Sequence, residues 1–294
     1  MSFEKAYNEY LIYARNRHKK QGFYTITQDF NRHILPYFIA KEMSEITKND
    51  ILDWQDRILE KKFSNNFNRK LYFIFNSFFK YCLLRSYVSK NLLVDVGPFK
   101  RKIEYKNHTT YSLRQFIKFR FYLDDFVIKQ FFNFMYFYGT RPSEAMALRF
   151  LDLKKNYVYV RHSIQRKGNR EIDTPKNQSS IRILKIKFLM LFRIWLLKKY
   201  YVKKYGCFSV DYFIFGGPKP LAPTTIDRHK KKAYTRAKLP SITQHEFRHS
   251  YATRNIHRKV PIDIVSRSMG HAKVSTTLDF YLHKEKNTNN VFLN

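Results

Sequence analysis

The chain has 294 residues, of which 44% are hydrophobic, so it can bury one large core or two moderate ones and is not expected to be disordered. Lysine and arginine total 56 against 23 acidic residues, which gives a net charge of +33. This excess is larger than solubility requires, and it indicates a polyanionic partner, with nucleic acid preferred over a membrane surface.

Several classes of protein are excluded by the sequence. Charged side chains interrupt the first twenty residues, and the longest uncharged apolar stretches fall short of the roughly 18–20 residues that span a bilayer. Cys82 and Cys207 lie far apart and outside any C-x-x-C pattern, which argues against a disulfide framework or a cysteine-based metal site. We therefore expect a cytoplasmic protein that does not enter membranes.

Four helical patterns in residues 1–98 predict a helical domain. They cover residues 3–17, 26–40, a segment that opens at Thr47, and 65–85. Asp50 follows Thr47 by three residues, which is typical of a capping box with aspartate in place of glutamate. Apolar side chains, Phe73 among them, surround the fourth helix, so we expect its burial on several sides.

A breaker at Gly97-Pro98 and a basic stretch after it predict a linker at residues 99–109, followed by a second domain at 110–294. Residues 1–100 hold 17 basic and 10 acidic side chains, whereas residues 101–294 hold 39 and 13. We therefore expect most of the phosphate contacts in the second part.

The second domain combines helices with short strands. Residues 126–138 and 186–201 have the pattern of apolar helices, whereas 157–164 and 181–186 have the composition of strands, with a turn at 166–169. The sequence thus predicts a fold that is mainly α with a small antiparallel β-sheet.

Arg141 is placed at the start of a helix, because Gly139 can turn the backbone and Pro142 suits a first helical turn. N–H groups at a helix N-terminus attract anions, and a guanidinium adds a fork that matches two phosphate oxygens. Glu144, three residues on, is spaced to hold that fork, although an ordinary exposed Arg–Glu pair has the same spacing.

Further side chains suit chemistry on a phosphodiester. His245 and Arg248 lie three apart on one helical face, and His271 follows a predicted helix at 262–269. Lys176 lies at a tip predicted between strands, where its ammonium can donate a proton to a leaving oxygen. Each pattern alone is also typical of solvated surface residues.

Tyr281, ten residues after His271, is the candidate nucleophile. A free phenol titrates near 10, so it must lose its proton to a base or within a cationic pocket. Arg141 and Arg248 would supply that pocket.

Taken in chain order, these residues resemble the tyrosine recombinase, or phage integrase, family. The series is Arg141, Lys176, His245, Arg248, Gly270-His271 and Tyr281. Segments 138–145 and 245–253, and Met269 to His271 with Tyr281, are similar to the three signature boxes of the family. The resemblance implies a two-domain clamp, with a helical core-binding (SAM-like) domain at 1–98 and a catalytic domain at 110–294.

By that resemblance, the protein is a site-specific recombinase of a mobile element or phage that cuts and rejoins DNA through a 3′-phosphotyrosyl intermediate. Arg141 and Arg248 would clamp the scissile phosphate, and Tyr281 would attack it. The other implied roles are a proton for the leaving oxygen from Lys176, acid–base exchange with the tyrosine by His245, a hydrogen bond to the phosphate from His271, and support of Arg141 by Glu144.

The resemblance also implies the partners. They are double-stranded DNA, further copies of the chain in a homotetramer on paired DNA sites, and, as optional partners, accessory DNA-bending proteins. No cofactor, metal ion or ATP is implied, because the phosphotyrosyl bond retains the energy of the phosphodiester.

Other interpretations remain open at this level. His245-Glu246-x-x-His249 matches the H-E-x-x-H pattern of zinc hydrolases. An Xer-like dimer resolvase would use the same catalytic residues, and a non-catalytic DNA-binding relative would keep the charge without the reaction. Tyr251 is the alternative nucleophile if Tyr281 is not used.

Overall fold

The computed structural model describes residues 1–100, 109–164, 172–173 and 181–275. The chain divides into two compact units, Met1–Glu104 and Tyr105–Asn294. Helices dominate and the strands are short and antiparallel, which confirms the predicted fold class. Within the described ranges, every helix is too short or too polar to span a lipid bilayer.

The first unit consists of helices around an aromatic core. Thr47 forms the predicted capping box, since its Oγ1 accepts the N–H of Asp50 and the Asp50 carboxylate accepts the N–H of Thr47. Phe75 is fully buried beside Trp54, whereas Phe73 is 54% exposed, so the fourth predicted helix has an open side. The helices are α1 (Phe3–Arg15), α2 (Lys20–His33), α3 (Leu35–Phe38), α4 (Lys48–Glu60), α5 (Asn65–Leu84) and α6 (Leu92–Val96).

The helix predicted at 26–40 is wrong in its bounds, because α2 ends at His33 and a separate helix begins at Leu35. Pro36 explains the break. Inside a continuous helix it would have no N–H to donate to the carbonyl of Arg32, and its ring would clash with that carbonyl. In the first turn of α3 the missing N–H has no cost.

The segment around Gly97 packs within the first unit. Gln55 Nε2 donates to the carbonyl of Gly97 at 2.9 Å, and the rings of Phe99 and Trp54 have centroids 5.6 Å apart. Phe99 therefore packs with the first unit.

The second unit has α8 (Phe126–Tyr138) in the middle of its core, with the bounds that the apolar sequence predicted. The Phe247 ring from α12 (Gln244–His257) contacts this helix, with its centroid 4.8 Å from that of Phe132. The remaining helices are α7 (Leu113–Phe121), α9 (Pro142–Ala147), α10 (Phe188–Tyr205), α11 (Pro223–Arg236) and α13 (Ile262–Met269).

Two small antiparallel sheets accompany these helices. The strands are β1 (Leu153–Lys154), β2 (Tyr157–Val160), β3 (Ser163–Ile164), β4 (Ile172–Asp173) and β5 (Arg182–Lys185). β2 lies between β1 and β5, and β3 pairs with β4. The strand predicted at 157–164 is thus two strands, since the first ladder ends where Arg161 contacts the buried Asp152 carboxylate at 2.7 Å. The predicted turn at 166–169 lies outside the described residues.

Candidate active site

Arg141 lies in the turn between α8 and α9 and is held by two separate segments. Its Nη1 donates to Glu144 Oε1 at 2.7 Å, and its Nη2 donates to the carbonyl of Gly270 at 3.0 Å. Its backbone N–H donates to Glu144 Oε2 at 2.9 Å. The backbone N–H of Arg141, at the start of α9, is therefore occupied by a carboxylate.

Arg248 projects from α12 and is only 3% exposed. Its Nη1 donates at 2.8 Å to the carbonyl of Gly139, two residues before Arg141. Its Nη2 is buried and has no hydrogen-bond partner among the residues that the structure describes. A buried donor without a partner costs free energy, so this atom is suited to receive an acceptor from a ligand.

Arg182, the first residue of β5, is a third arginine of the site, and the sequence analysis did not select it. Its Nη2 donates to Glu144 Oε2 at 2.8 Å, and its Nε donates to the carbonyl of Ser268 at 2.7 Å. The alternation of side chains along β5 could have identified Arg182 as buried, because it lies on the same face as the buried Leu184 and Ile186.

The site thus holds three guanidinium groups around one carboxylate. Burial alone would raise the pKa of Glu144, but Arg182 and Arg141 hold it below its usual value, so the carboxylate is ionised. Burial, and then the charge of Arg141, lowers the pKa of Arg248 to about 9. Because cations outnumber the carboxylate, the site favours a further negative group.

His271 follows α13, which ends at Gly270 in a left-handed conformation with φ 70°. Burial, and then the charges of Arg248 and Arg141, lowers the pKa of the His271 imidazole to about 4. The ring is therefore neutral at pH 7, and it can donate an N–H to a phosphate without adding a charge.

We expect the free energy of unfolding to decrease as the pH falls from about 6.5 to 4, in part because of His271. The unfolded chain accepts a proton on this imidazole near pH 6.5, whereas the folded protein resists it down to about 4, so acid favours unfolding. Urea denaturation of His271→Asn should show a flatter profile in this range. The control His257→Asn, at an exposed position on α12, should keep the wild-type slope, and equal slopes in all three proteins would contradict the expectation.

Gly139 brings α12 close to the turn that carries Arg141. It ends α8 with φ 63°, and a Cβ added to it would lie 2.4 Å from Cδ1 of Tyr251. The Tyr251 hydroxyl lies 2.9 Å from Ser268 Oγ, so the same ring also joins α12 to α13. A side chain at position 139 would push these helices apart.

Gly139→Ala should therefore destabilise the fold by about 2–5 kcal/mol, from a left-handed alanine and from the clash with Tyr251. Gly206→Ala is the matched control, because Gly206 ends α10 with φ 71° and an added Cβ there would meet nothing within 4 Å. Only the conformational cost, about 1–2 kcal/mol, should appear in the control. Urea denaturation measures both, and equal losses would argue against a steric role for Tyr251.

The structure brings together four residues that the sequence selected: Arg141, Glu144, Arg248 and His271. His245 is exposed on the first turn of α12. Lys176 and Tyr281 lie outside the described residues, so their roles stay predictions.

The geometry does not support the zinc-hydrolase interpretation. Glu246 Oε1 accepts the N–H of Thr109 at 2.9 Å, and its Oε2 accepts the N–H of Thr243 at 2.6 Å. This carboxylate caps α12 and joins it to the start of the unit, so it is not directed at a metal-bound water. Across the described part of the chain, His, Cys, Asp and Glu side chains form no group of three that could hold a metal ion.

Comparisons with known proteins place the chain among recombinases. Residues 109–288 match the model of the phage integrase family, and residues 2–59 match the N-terminal SAM-like domain of phage integrases. The chain is 26% identical over 263 residues to the ICEBs1 integrase of Bacillus subtilis, with 86% of this chain and 71% of that protein covered. It is also 26% identical over 271 residues to a tyrosine recombinase XerC-like protein of Caldanaerobacter subterraneus subsp. tengcongensis, with 82% and 68% covered.

Solved structures have the same fold. The Tn1549 transposon integrase in complex with transposon right end DNA gives a TM-score of 0.76 at 21% identity, over 96% of this chain and 95% of that one. A lambda integrase tetramer bound to a Holliday junction gives 0.74 at 12% identity, over 95% and 77%. The chain belongs to the phage integrase family and is a tyrosine recombinase, an enzyme that cuts and rejoins DNA strands.

Proposed function

We propose that this recombinase acts for a mobile element and binds the scissile phosphate between Arg141 and Arg248. The observation that carries the proposal is the buried Nη2 of Arg248, which has no partner among the described residues. It lies in a site where three guanidinium groups surround one carboxylate. A phosphodiester supplies both the hydrogen-bond acceptors and the negative charge that such a site favours.

The two arginines have different surroundings, but both are placed to bind the phosphate. Arg141 is partly exposed and fixed by Glu144, whereas Arg248 is buried, and together their guanidinium groups can bind the non-bridging oxygens. His271 adds a neutral hydrogen bond to the same oxygens. These contacts strengthen as negative charge grows on the phosphoryl oxygens in the transition state.

The covalent step uses residues that only the sequence identifies. The Tyr281 oxygen attacks phosphorus, the bond from phosphorus to the 5′ oxygen breaks, and a 3′-phosphotyrosyl bond forms. His245 accepts the phenolic proton, and Lys176 donates a proton to the departing 5′ oxygen, so the charges balance. A 5′ hydroxyl from a second strand then attacks the phosphotyrosyl bond and releases Tyr281.

Relatives support double-stranded DNA as the substrate and an assembly of four protomers. The Tn1549 integrase was solved with transposon end DNA, and lambda integrase was solved as a tetramer on a Holliday junction. Similarity to the ICEBs1 integrase favours a mobile element as the source of the DNA sites. Dimer resolution is a second candidate, because an XerC-like recombinase matches with the same identity. Accessory DNA-bending proteins stay a prediction from the sequence resemblance.

A pool of nicked duplexes with randomised sequence tests the proposal on many DNA sites at once. The full chain is incubated with this pool, in which cleavage a few nucleotides from the nick releases a short fragment that carries the free 5′ hydroxyl. The loss of this fragment traps the covalent intermediate. We expect adducts that survive denaturing detergent and carry a common sequence, with the nucleotide attached to the peptide that contains Tyr281. No adduct from any pool would overturn the proposal, and attachment to Tyr251 would move the nucleophile.

A further inference from the structure

Arg182 occupies a defined position at the edge of the site. It is the first residue of β5, where it is the register partner of Val160 on β2. Its side chain is 8% exposed, and it faces the buried side of the strand with Leu184. The sheet therefore fixes the backbone from which this guanidinium extends.

The Arg182 side chain closes a ring of hydrogen bonds between three parts of the unit. From β5 it donates to Glu144 Oε2 on α9 at 2.8 Å and to the carbonyl of Ser268 on α13 at 2.7 Å. Glu144 binds Arg141 through its other oxygen at 2.7 Å. Arg141 donates to the carbonyl of Gly270 at 3.0 Å, two residues after Ser268, and completes the ring.

The two carbonyl acceptors bracket the end of α13, directly before His271. The same ring of hydrogen bonds thus sets the distance between Arg141, which belongs to the proposed phosphate clamp, and His271, the proposed hydrogen-bond donor to the phosphate. If Arg182 is removed, the Ser268 carbonyl loses one donor and Glu144 is left to Arg141 alone. Displacement of a reacting group by about 1 Å is enough to lower a rate by about 10²-fold.

We propose that Arg182 is a positioning residue for strand cleavage, which holds Arg141 and His271 at the separation that one phosphate requires. This inference rests on the proposed function. It assigns to Arg182 a role through Glu144 and the end of α13, and no contact with DNA. The planar guanidinium of Arg182 donates its two hydrogen bonds in different directions. A single ammonium cannot reproduce both, so lysine at this position should restore the cleavage rate only in part.

Single-turnover cleavage of a nicked duplex selected from the randomised pool tests this role. We expect Arg182→Gln to lower the cleavage rate of bound DNA by about 10–100-fold, with Kd changed by no more than a few-fold and Arg182→Lys intermediate. Arg161→Gln is the matched control, because Arg161 also binds a buried carboxylate, that of Asp152, at 2.7 Å. The control should lose thermal stability without loss of cleavage rate. A wild-type rate in Arg182→Gln, or an equal loss in Arg161→Gln, would overturn the inference.

A duplex with sulfur in place of the bridging 5′ oxygen distinguishes a defect in protonation of the leaving group from a defect in binding of the phosphate. The thiolate leaves without a proton, so this substrate should restore cleavage by Lys176→Ala. Arg182→Gln should remain slow on it, because its defect lies at the phosphate clamp. Recovery of Arg182→Gln would overturn the inference by placing Arg182 on the side of the leaving group. If the wild-type chain forms no adduct with either duplex, the proposed function itself fails, which is a different result.

A double-variant cycle adds a readout that a purely structural residue would not give. Glu144→Gln and Arg182→Gln should each slow cleavage, and the double variant should be no slower than the slower single variant, because both break one ring. If the two reductions in cleavage rate multiply in the double variant, Arg182 and Glu144 act independently, and the role of Arg182 through Glu144 is overturned.

Discussion

Tyr281→Phe is expected to abolish the covalent protein–DNA adduct while DNA binding stays within a few-fold of the wild type. Phenylalanine has no oxygen to attack phosphorus, and the guanidinium groups that bind the phosphate are unchanged. An end-labelled nicked duplex, separated on a denaturing gel, measures the adduct, and a mobility-shift titration measures binding. We expect no adduct above background.

Tyr251→Phe is the control for a change of one tyrosine hydroxyl. It removes the contact with Ser268 Oγ at 2.9 Å, which should cost about 1 kcal/mol of stability, and it should still form the adduct. An adduct that persists in Tyr281→Phe and disappears in Tyr251→Phe would reverse the assignment. Persistence in both variants would place the nucleophile on a third residue.

Local chemistry explains which parts of the fold could be predicted from the sequence. The helix Phe126–Tyr138 has an aspartate cap at its start and a glycine at its end, and its predicted bounds are confirmed. The helix predicted at 26–40 failed because its pattern was read through Pro36, although proline is tolerated only in a first turn. Residues 157–164 were predicted as one strand and form two, because hydrophobic alternation continues across the break after Val160.

The site shows a different limit. Arg141 and Glu144 are three residues apart, so their contact follows from helical spacing. Arg182 could not be placed beside Glu144 in the same way, because 38 residues and a change of secondary structure separate them. The position of Arg182 in the alternation of β5 indicated that it is buried, but only the fold shows which carboxylate neutralises its charge. Spacing alone also could not show that Arg248 keeps a buried donor without a partner among the described residues.

Arg248→Met is expected to lower the single-turnover cleavage rate by about 10³-fold and to leave the thermal stability of the free enzyme equal or higher. Loss of one preorganised donor to an oxyanion costs about 10²–10³ in rate, and a formal charge is lost as well. In the free enzyme, burial and the charge of Arg141 disfavour the Arg248 guanidinium, and they lower its pKa to about 9. A buried charge replaced by an apolar side chain of similar length is often neutral or stabilising.

Arg254→Met separates this effect from the general loss of an arginine on α12, where Arg254 is partly buried. The Arg254 guanidinium lies over the rings of Tyr136 and Phe137, at 4.7 and 4.8 Å from their centroids, and it is not part of the hydrogen-bonded ring around Glu144. Burial lowers the pKa of Arg254 as well, and its Nε and Nη1 have no hydrogen-bond partner among the described residues, so the change in thermal midpoint reflects a balance between this cost and the lost cation–π contacts. Cleavage by the folded protein should stay within a few-fold. Loss of cleavage in Arg248→Met alone, with its thermal midpoint equal or higher, would mean that Arg248 is kept at a cost to stability because it binds the phosphate. A lower midpoint for Arg248→Met, with cleavage retained, would instead make Arg248 a structural residue and remove the phosphate from this pocket.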